Sequence, residues 1–178
     1  MVSKETILPD RAFALELLKK LRLPISIRLH SINVANKGLE IAENIRKVNV
    51  DTRLVEIGGL LHDIGRTRTH GFEHALIGGK IIRERGLPKS LARICETHIL
   101  GGLDKEDAKT VGLPIKDYLP ETIEEKIVCL ADKQMMGDRE VSIDARFEKW
   151  FSKYGKTKLL IKSRERIKKI EKEIKVLI

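Results

Sequence analysis

The stretch Asp51-Thr-Arg-Leu54-Val-Glu-Ile57-Gly-Gly-Leu60-Leu61-His62-Asp63-Ile64-Gly65 decides how the rest of the chain is read. Asp51 can start a helix, and Leu54, Ile57, Leu60 and Leu61 follow at helical spacing, which predicts one apolar helix closing near Gly65. A histidine and an aspartate then stand side by side at its carboxyl end. Neighbouring helical residues point ~100° apart, so both side chains reach one ion only where the chain turns out of the helix. The glycine that follows permits that turn. One imidazole and one carboxylate leave positions open on such an ion, so other helices must supply further ligands.

On both sides of this stretch the pattern stays helical. Asp10 is placed to cap a helix carrying Phe13, Ala14, Leu17, Leu18 and Leu21, which Pro24 breaks. A second helix is expected from about Ile25 to Lys47, with Ile27, Val34, Ile41 and Ile45 apolar. Arg66 to Glu73 is polar and reads as a loop. His74 opens a fourth helix through Ile77, Ile81 and Ile82, with Gly86 placed to stop it. Pro88 suits the first turn of a fifth, which ends near Leu100 before Gly101-Gly102. Gly101 to Pro120 is the longest irregular stretch, and loops of that length in a compact domain are often lids or substrate loops. Further helices are expected over about Glu121 to Met136, Asp144 to Lys153 and Thr157 to Ile178. No period-2 strand pattern survives, so the fold class is all-α. The chain divides into an N-terminal helix at 1–24 packing on the core, a body at 25–137 and a basic helical extension at 138–178. Ile167, Ile170, Ile174 and Leu177 form a 3-4-3 stripe that either packs on the chain's own core or makes a homodimer seam.

Composition narrows the function. With 178 residues, 42% hydrophobic and 34% charged, the chain reads as a globular domain. Aromatics make up 4%, which argues against a surface that grips single-stranded nucleic acid by stacking. Of the net charge of +9, the segment from Phe151 to Ile178 carries +7, from ten Lys or Arg against three Glu. An acidic partner such as nucleic acid could bind this tail, but the composition also suits a thermostable surface. Cys95 and Cys129 fall inside apolar helical patterns and form no CxxC pair, consistent with a reducing cytoplasm. The N-terminus lacks an apolar signal core, and no apolar run approaches the ~20 residues that span a bilayer.

Four of the five histidines fall where helices begin, end or converge. His30 lies inside the second helix in His30-Ser-Ile-Asn-Val34-Ala35. Asp132 lies in the apolar run Ile127-Val-Cys-Leu-Ala-Asp132, where an ionised carboxylate is costly to bury unless paired or metal-bound. Asp132 could equally cap a neighbour or pair with Lys133. His74 begins one helix and His98 ends another, and each could simply cap a terminus. Mixed imidazole and carboxylate donors suit Fe, Mn, Co, Ni or Zn better than an all-oxygen magnesium site. There is no P-loop, no dinucleotide-binding glycine fingerprint and no Ser-His-Asp or Cys-His arrangement.

Taken together, the order His…His-Asp…Asp resembles the HD superfamily of metal-dependent phosphohydrolases. Gly59-Leu-Leu-His62-Asp63-Ile-Gly65 matches its HDIG variant, and the resemblance covers roughly residues 25 to 137. It implies a compact HD-domain helical bundle. It also implies that His30, His62, Asp63 and Asp132 hold a first metal, and that Asp63 bridges to a second held by His74 and His98. The six together are similar to the dinuclear bacterial hydrolases that cleave diadenosine tetraphosphate. His62 and Asp63 would be the catalytic pair, and one or two divalent transition-metal ions the cofactor. Arg66, where the family often has Lys, and more weakly Arg68 are candidates to grip a substrate phosphate; both could also be exposed loop charges. His70 reads as a solvated or substrate-facing loop residue.

The activity implied is hydrolysis of a phosphoester or phosphoanhydride in a nucleotide or dinucleotide by metal-bound hydroxide. The alternatives are a non-catalytic nucleotide sensor or RNA-binding module that uses the basic tail, and an RNA 2′,3′-cyclic phosphate hydrolase. The GYP element of cyclic di-GMP phosphodiesterases is absent. Asn33, and Lys-Gln-Met-Met after Asp132, depart from the usual pattern and leave the substrate open.

Overall fold

Five of the main helices start where a short polar side chain takes up a free backbone N–H. Asp10 accepts from Phe13 N ahead of α1 (Arg11–Lys20), and Asp51 from Leu54 N ahead of α3 (Thr52–Leu61). Thr122, Ser142 and Thr157 do the same for α7 (Ile123–Gln134), α8 (Ile143–Tyr154) and α9 (Lys158–Leu177). Prolines precede α2 (Ile25–Asn44) and α5 (Lys89–Thr97), while His74 opens α4 (His74–Glu84). The computed structural model describes residues 7–178, so the first six residues of the expected N-terminal segment lie outside the described residues. Among the described residues the fold is all-α apart from a small hairpin with two residues in each strand, β1 (Met135–Met136) with β2 (Arg139–Glu140).

The apolar faces of these helices meet in three clusters. One joins α2, α3, α7, α8 and α9 through residues such as Val34, Val55, Ile127, Phe147 and Ile167. A second joins α1 to α5 through Leu18, Leu60, Leu61, Ile81 and Leu91. A third lies under residues 99–118 and includes Ile99, Leu103, Leu113 and Tyr118. The stripe on α9 packs on the chain's own core: Ile167, Ile170 and Ile174 are buried in the first cluster and Leu177 is packed against it. Full burial of each isoleucine contributes roughly 1.5–3 kcal/mol.

Three sequence expectations are corrected. The second helix stops at Asn44, not near Lys47, because Arg46 N and Lys47 N donate to Leu177 O, at 3.0 and 3.2 Å, and tie the chain to the end of α9. The segment from Gly101 to Pro120 contains α6 (Lys105–Thr110), opened by a capping box in which Asp104 and Asp107 each accept from the other's backbone N–H. It is therefore not irregular throughout: Leu103 and Tyr118 also exchange two backbone hydrogen bonds, at 3.1 and 2.7 Å, and both are buried. The expected sixth helix runs on only to Gln134, where Met135 turns extended and begins the hairpin around Gly137.

Candidate metal centre

The carboxyl end of α3 separates two neighbours. His62 is still helical, at φ −54° and ψ −36°, whereas Asp63 sits at φ −99° and ψ 12°, in the bridge region. That change of backbone direction lets both side chains face one centre. The following glycine is needed for a different reason from the one expected. Gly65 has no positive φ; it lies in a 3-10 turn, Ile64–Thr67, pressed on the first turn of α4. A Cβ there would stand 1.9 Å from His74 O. Gly59 likewise lets α3 approach α2, since its Cβ would meet Ala35 Cα at 2.7 Å. The two glycines bring α2, α3 and α4 close enough for their histidines to converge.

All six expected residues are brought together. His30 Nε2 lies 2.9 Å from Asp132 Oδ1, joining α2 to α7. His62 Nε2 lies 3.6 Å from Asp63 Oδ2 and 3.6 Å from Asp132 Oδ1. His74 Nε2 and His98 Nε2 lie 3.1 and 3.4 Å from Asp63 Oδ1. Three sets of potential ligand atoms lie within 4.8 Å of one another: His30, His62 and Asp63; His62, His98 and Asp132; Asp63, His74 and His98. Asp63 belongs to the first and the last. His62, Asp63, His74 and His98 are buried, and His30 and Asp132 are half-buried.

Hydrogen bonds assign the protons on three of the rings. His62 Nδ1 lies 2.7 Å from Gly59 O, His74 Nδ1 2.7 Å from Gly71 O, and His98 Nδ1 2.7 Å from Cys95 O. A carbonyl oxygen only accepts, so each Nδ1 carries the proton and donates it. In the neutral ring, each Nε2 then presents a lone pair to the centre. His74 Nε2 and His98 Nε2 stand 3.2 Å apart. Two lone pairs at that distance repel unless a cation lies between them. His62 Nε2 and Asp63 Oδ1 are buried atoms with no hydrogen-bond partner of good geometry, although Asp63 Oδ1 has charged neighbours. Orphaned donor atoms converging in this way fit a metal ion, and the histidines already have the outer hydrogen bonds that orient such ligands.

The electrostatics agree. Burial disfavours the charge on Asp63, but His62, with His74 and His98 beside it, holds its carboxyl well below the usual range. Burial also disfavours the charge on the half-buried Asp132, yet Lys133, His30 and His62 hold its carboxyl low. Burial pushes His98 down to about 4, so it is neutral at pH 7. His62 is raised because Asp63 and Asp132 overcome its burial. Around this core, Arg66 Nε lies 2.9 Å from Asp63 Oδ1. The buried Lys133 ammonium contacts Asp132 and donates to His98 O at 2.8 Å, so Asp132 both pairs with Lys133 and faces the centre.

The centre opens into a cleft of ≈ 740 Å³. Arg66 and His70 line it; Arg68 does not, being half exposed and 4.0 Å from Glu84. The segment 101–120 contributes nothing to its lining. Much of the remaining wall comes from residues assigned no site role from sequence, among them Phe72, Arg146, Trp150 and Tyr154, with Leu159 and Leu160 from α9. Arg146, Trp150 and Tyr154 are spaced by four on α8, so they share a face. That spacing was visible in the sequence but pointed to no particular chemistry.

The comparisons with known proteins agree with this geometry. The family model described as HD domain matches residues 28–136. An uncharacterized protein of Methanocaldococcus jannaschii is 46% identical over 151 residues, covering 84% of this chain and 89% of that protein. A tRNA (cytidine(56)-2'-O)-methyltransferase of Picrophilus torridus is 37% identical over 167 residues, covering 94% of this chain; the chain spans about half, 47%, of that relative. Among solved structures, the HD domain of the L. monocytogenes phosphodiesterase PgpH in complex with cyclic-di-AMP is similar, with TM-score 0.54 and 18% identity, covering 92% of this chain and 96% of that one. The match over most of the body, with the HDIG segment at its centre, shows that this chain belongs to the HD domain family.

Proposed function

We propose that this protein is a metal-dependent phosphohydrolase acting on a phosphoester or phosphoanhydride of a nucleotide or dinucleotide. The observation that carries the reading is the pair of Nε2 atoms of His74 and His98, 3.2 Å apart and both facing the Asp63 carboxylate. His30, His62, Asp63 and Asp132 would hold one ion, and Asp63, His74 and His98 a second, with Asp63 between them. Bound divalent metal supplies Lewis-acid activation of water and charge neutralisation on the phosphoryl group. The chain's own residues prepare the rest. Backbone carbonyls keep the imidazoles in one tautomer, and Asp132 is fixed between His30 and Lys133. Arg66 lies at the floor of the cleft, beside Asp63, where a substrate phosphate would meet it.

Within this class, diadenosine tetraphosphate is the first substrate to test and a nucleoside monophosphate the second. A panel of nucleotides assayed with Mn, Fe, Co and Ni decides; no turnover with any metal overturns the enzyme reading. One observation favours a second substrate, an RNA end bearing a 2′,3′-cyclic phosphate: the relative of which this chain spans about half is named as a tRNA methyltransferase. The basic tail gives less support to RNA binding than its charge suggests. Lys158, Lys162, Arg164, Arg166 and Lys168 all face Asp104, Glu106, Asp107 or Asp144 within the fold. Including RNA ending in cyclic phosphate in the same panel separates the two substrates.

A further inference from the structure

The chain has seven aromatic residues, one Trp, two Tyr and four Phe. Three of them, Phe72, Trp150 and Tyr154, line the cleft over the metal centre. Trp150 packs in part against the first core cluster, whereas Phe72 and Tyr154 belong to none of the three clusters. Tyr154 is 58% and Phe72 38% exposed, and Trp150 is half-buried. On α8 the core is served by Ile143, Phe147 and Phe151, leaving the face of Arg146, Trp150 and Tyr154 turned to the cleft.

This face is braced from beneath. Arg146 donates to Lys133 O at 3.1 Å, to Asp132 O at 3.2 Å and to Met135 O. Its guanidinium is thereby pinned to the end of the helix that carries Asp132, and it lies 5.4 Å from the Trp150 ring centroid. Phe147 meets Trp150 edge-on, with centroids 5.0 Å apart. The indole is held at a set position relative to Asp132, while Tyr154 stands one helical turn further out. A volume of ≈ 740 Å³ suits a small organic ligand, for which pockets run roughly 300–1,000 Å³.

We propose that α8 is the base-recognition element of the cleft. Trp150 and Tyr154, joined by Phe72, form an aromatic platform on which the nucleobase of a phosphorylated nucleoside stacks while its phosphate meets the carboxylate–histidine centre. Stacking tolerates any base, because every base has a π-face, so the platform selects nucleosides over other phosphoesters without reading sequence. A few aromatics gathered at one cleft suit a single base. They do not make the extended strand-gripping surface that the low aromatic content argues against.

The inference rests on the phosphohydrolase reading for what happens to the ligand, but it is tested by binding. Trp150 is the only tryptophan, so its emission reports on the platform directly. The intact, metal-containing protein is mixed by stopped flow with AMP, ribose 5-phosphate, inorganic phosphate, or a short RNA ending in a 3′-phosphate. AMP is expected to quench Trp150 saturably and to bind at least about ten-fold more tightly than ribose 5-phosphate, with no quench from phosphate. Tyr154→Ala, at an exposed position, should collapse the preference for AMP over ribose 5-phosphate toward one, and Tyr154→Phe should restore it. RNA binding more tightly than AMP would assign the platform to an RNA terminus, and the reverse order to a free nucleotide; either order upholds it. Equal affinity for AMP and ribose 5-phosphate, or an unchanged preference in Tyr154→Ala, overturns it. Quenching by AMP without turnover of any phosphoester would sink the hydrolase reading alone. Turnover of AMP and ribose 5-phosphate with equal kcat/KM and no quench would sink the platform alone.

Discussion

Substituting Gly65 by alanine should damage the metal centre through the backbone, without replacing any candidate ligand side chain. The added Cβ would stand 1.9 Å from His74 O and 2.7 Å from Gly78 N. A carbon–oxygen contact settles at roughly 3.3 Å, so the Ile64–Thr67 turn and the first turn of α4 must separate by about 1.4 Å. Both partners are main chain, and no rotamer change can relieve the clash. His74 Nε2 now lies 3.1 Å from Asp63 Oδ1. Taken along that line, the shift puts the two atoms about 4.5 Å apart, beyond the sum of two metal–ligand bonds of roughly 2.1 Å each. On the proposed arrangement the second ion is lost. Overpacking of this kind costs about 1–3 kcal/mol, and the upper end is expected where backbone meets backbone. Urea unfolding at unchanged m-value reads the stability, and elemental analysis of the folded protein reads the metal. Gly86→Ala is the control. Gly86 has φ +63° with nothing within 4 Å of a Cβ, so that change should cost roughly 1 kcal/mol and leave the metal content alone. A Gly65→Ala protein within about 0.5 kcal/mol of the parent, with full metal content, would refute the reasoning.

Three further perturbations address other parts of the structure. Asp63→Ala should leave the dialysed protein without metal, whereas His98→Ala should retain one ion per chain; two ions surviving in Asp63→Ala would rule out Asp63 as the bridge. Ile167, fully buried between α9 and the core, should cost about 2–5 kcal/mol when cut to alanine, read as a fall in urea midpoint; a loss under 1 kcal/mol would mean that α9 is not held by this stripe. Asp104 is paired with Lys162 and Arg166, and its carboxyl is held down at about 2 despite some burial. A depressed carboxylate stabilises the fold above its unfolded pKa, near 3.9, and loses that contribution as pH falls through the folded value. Because the side chain is 29% exposed, the contribution is discounted for solvent screening to about 1 kcal/mol. Stability measured from pH 5 to pH 2 should therefore fall less steeply in Asp104→Asn, which keeps the helix cap; identical slopes would refute the assignment.

The helical course of the chain was legible because its signals are local. Asp10, Asp51, Gly86 and the spacing of Ile167, Ile170 and Ile174 each act within one or two turns, and each has the structural role expected of it. The six candidate site residues, which the structure brings together, were legible as a set through the resemblance to the HD superfamily, and only Asp132 and the His62-Asp63 pair had a physical argument of their own. An Asp inside Ile127-Val-Cys-Leu-Ala needs a charged partner wherever the helix packs, and a His-Asp pair at a helix end needs other helices to complete a site. What escaped depends on distance in sequence. Arg146 finds the carbonyls of residues 132, 133 and 135 only after the hairpin reverses the chain. The true neighbours of Gly65, on α4, are likewise a tertiary fact. The segment from Gly101 to Pro120 was misread because its glycines and prolines outweighed the Asp104–Asp107 box and the buried Leu103, Leu113 and Tyr118.

The placement of the centre at helix ends follows from backbone chemistry. The last carbonyls of a helix have no intrahelical donor, and burying them unpaired would be costly. At α3 and α5 the chain places a histidine in the C-cap position, and its Nδ1–H donates to the carbonyl three residues back, Gly59 O and Cys95 O respectively. His74 forms the same bond with Gly71 O on entering α4. At α3 and α5 this one hydrogen bond satisfies a carbonyl, and in all three cases it selects the Nδ1–H tautomer and leaves Nε2 free to face the centre. Three helix termini that carry this device and meet at a point must therefore gather three lone pairs there. The gathering is unfavourable without a cation, and the carboxylates of Asp63 and Asp132 make the same point attractive to one. Where such termini converge, the arrangement that completes the helices also makes a place that can hold a cation.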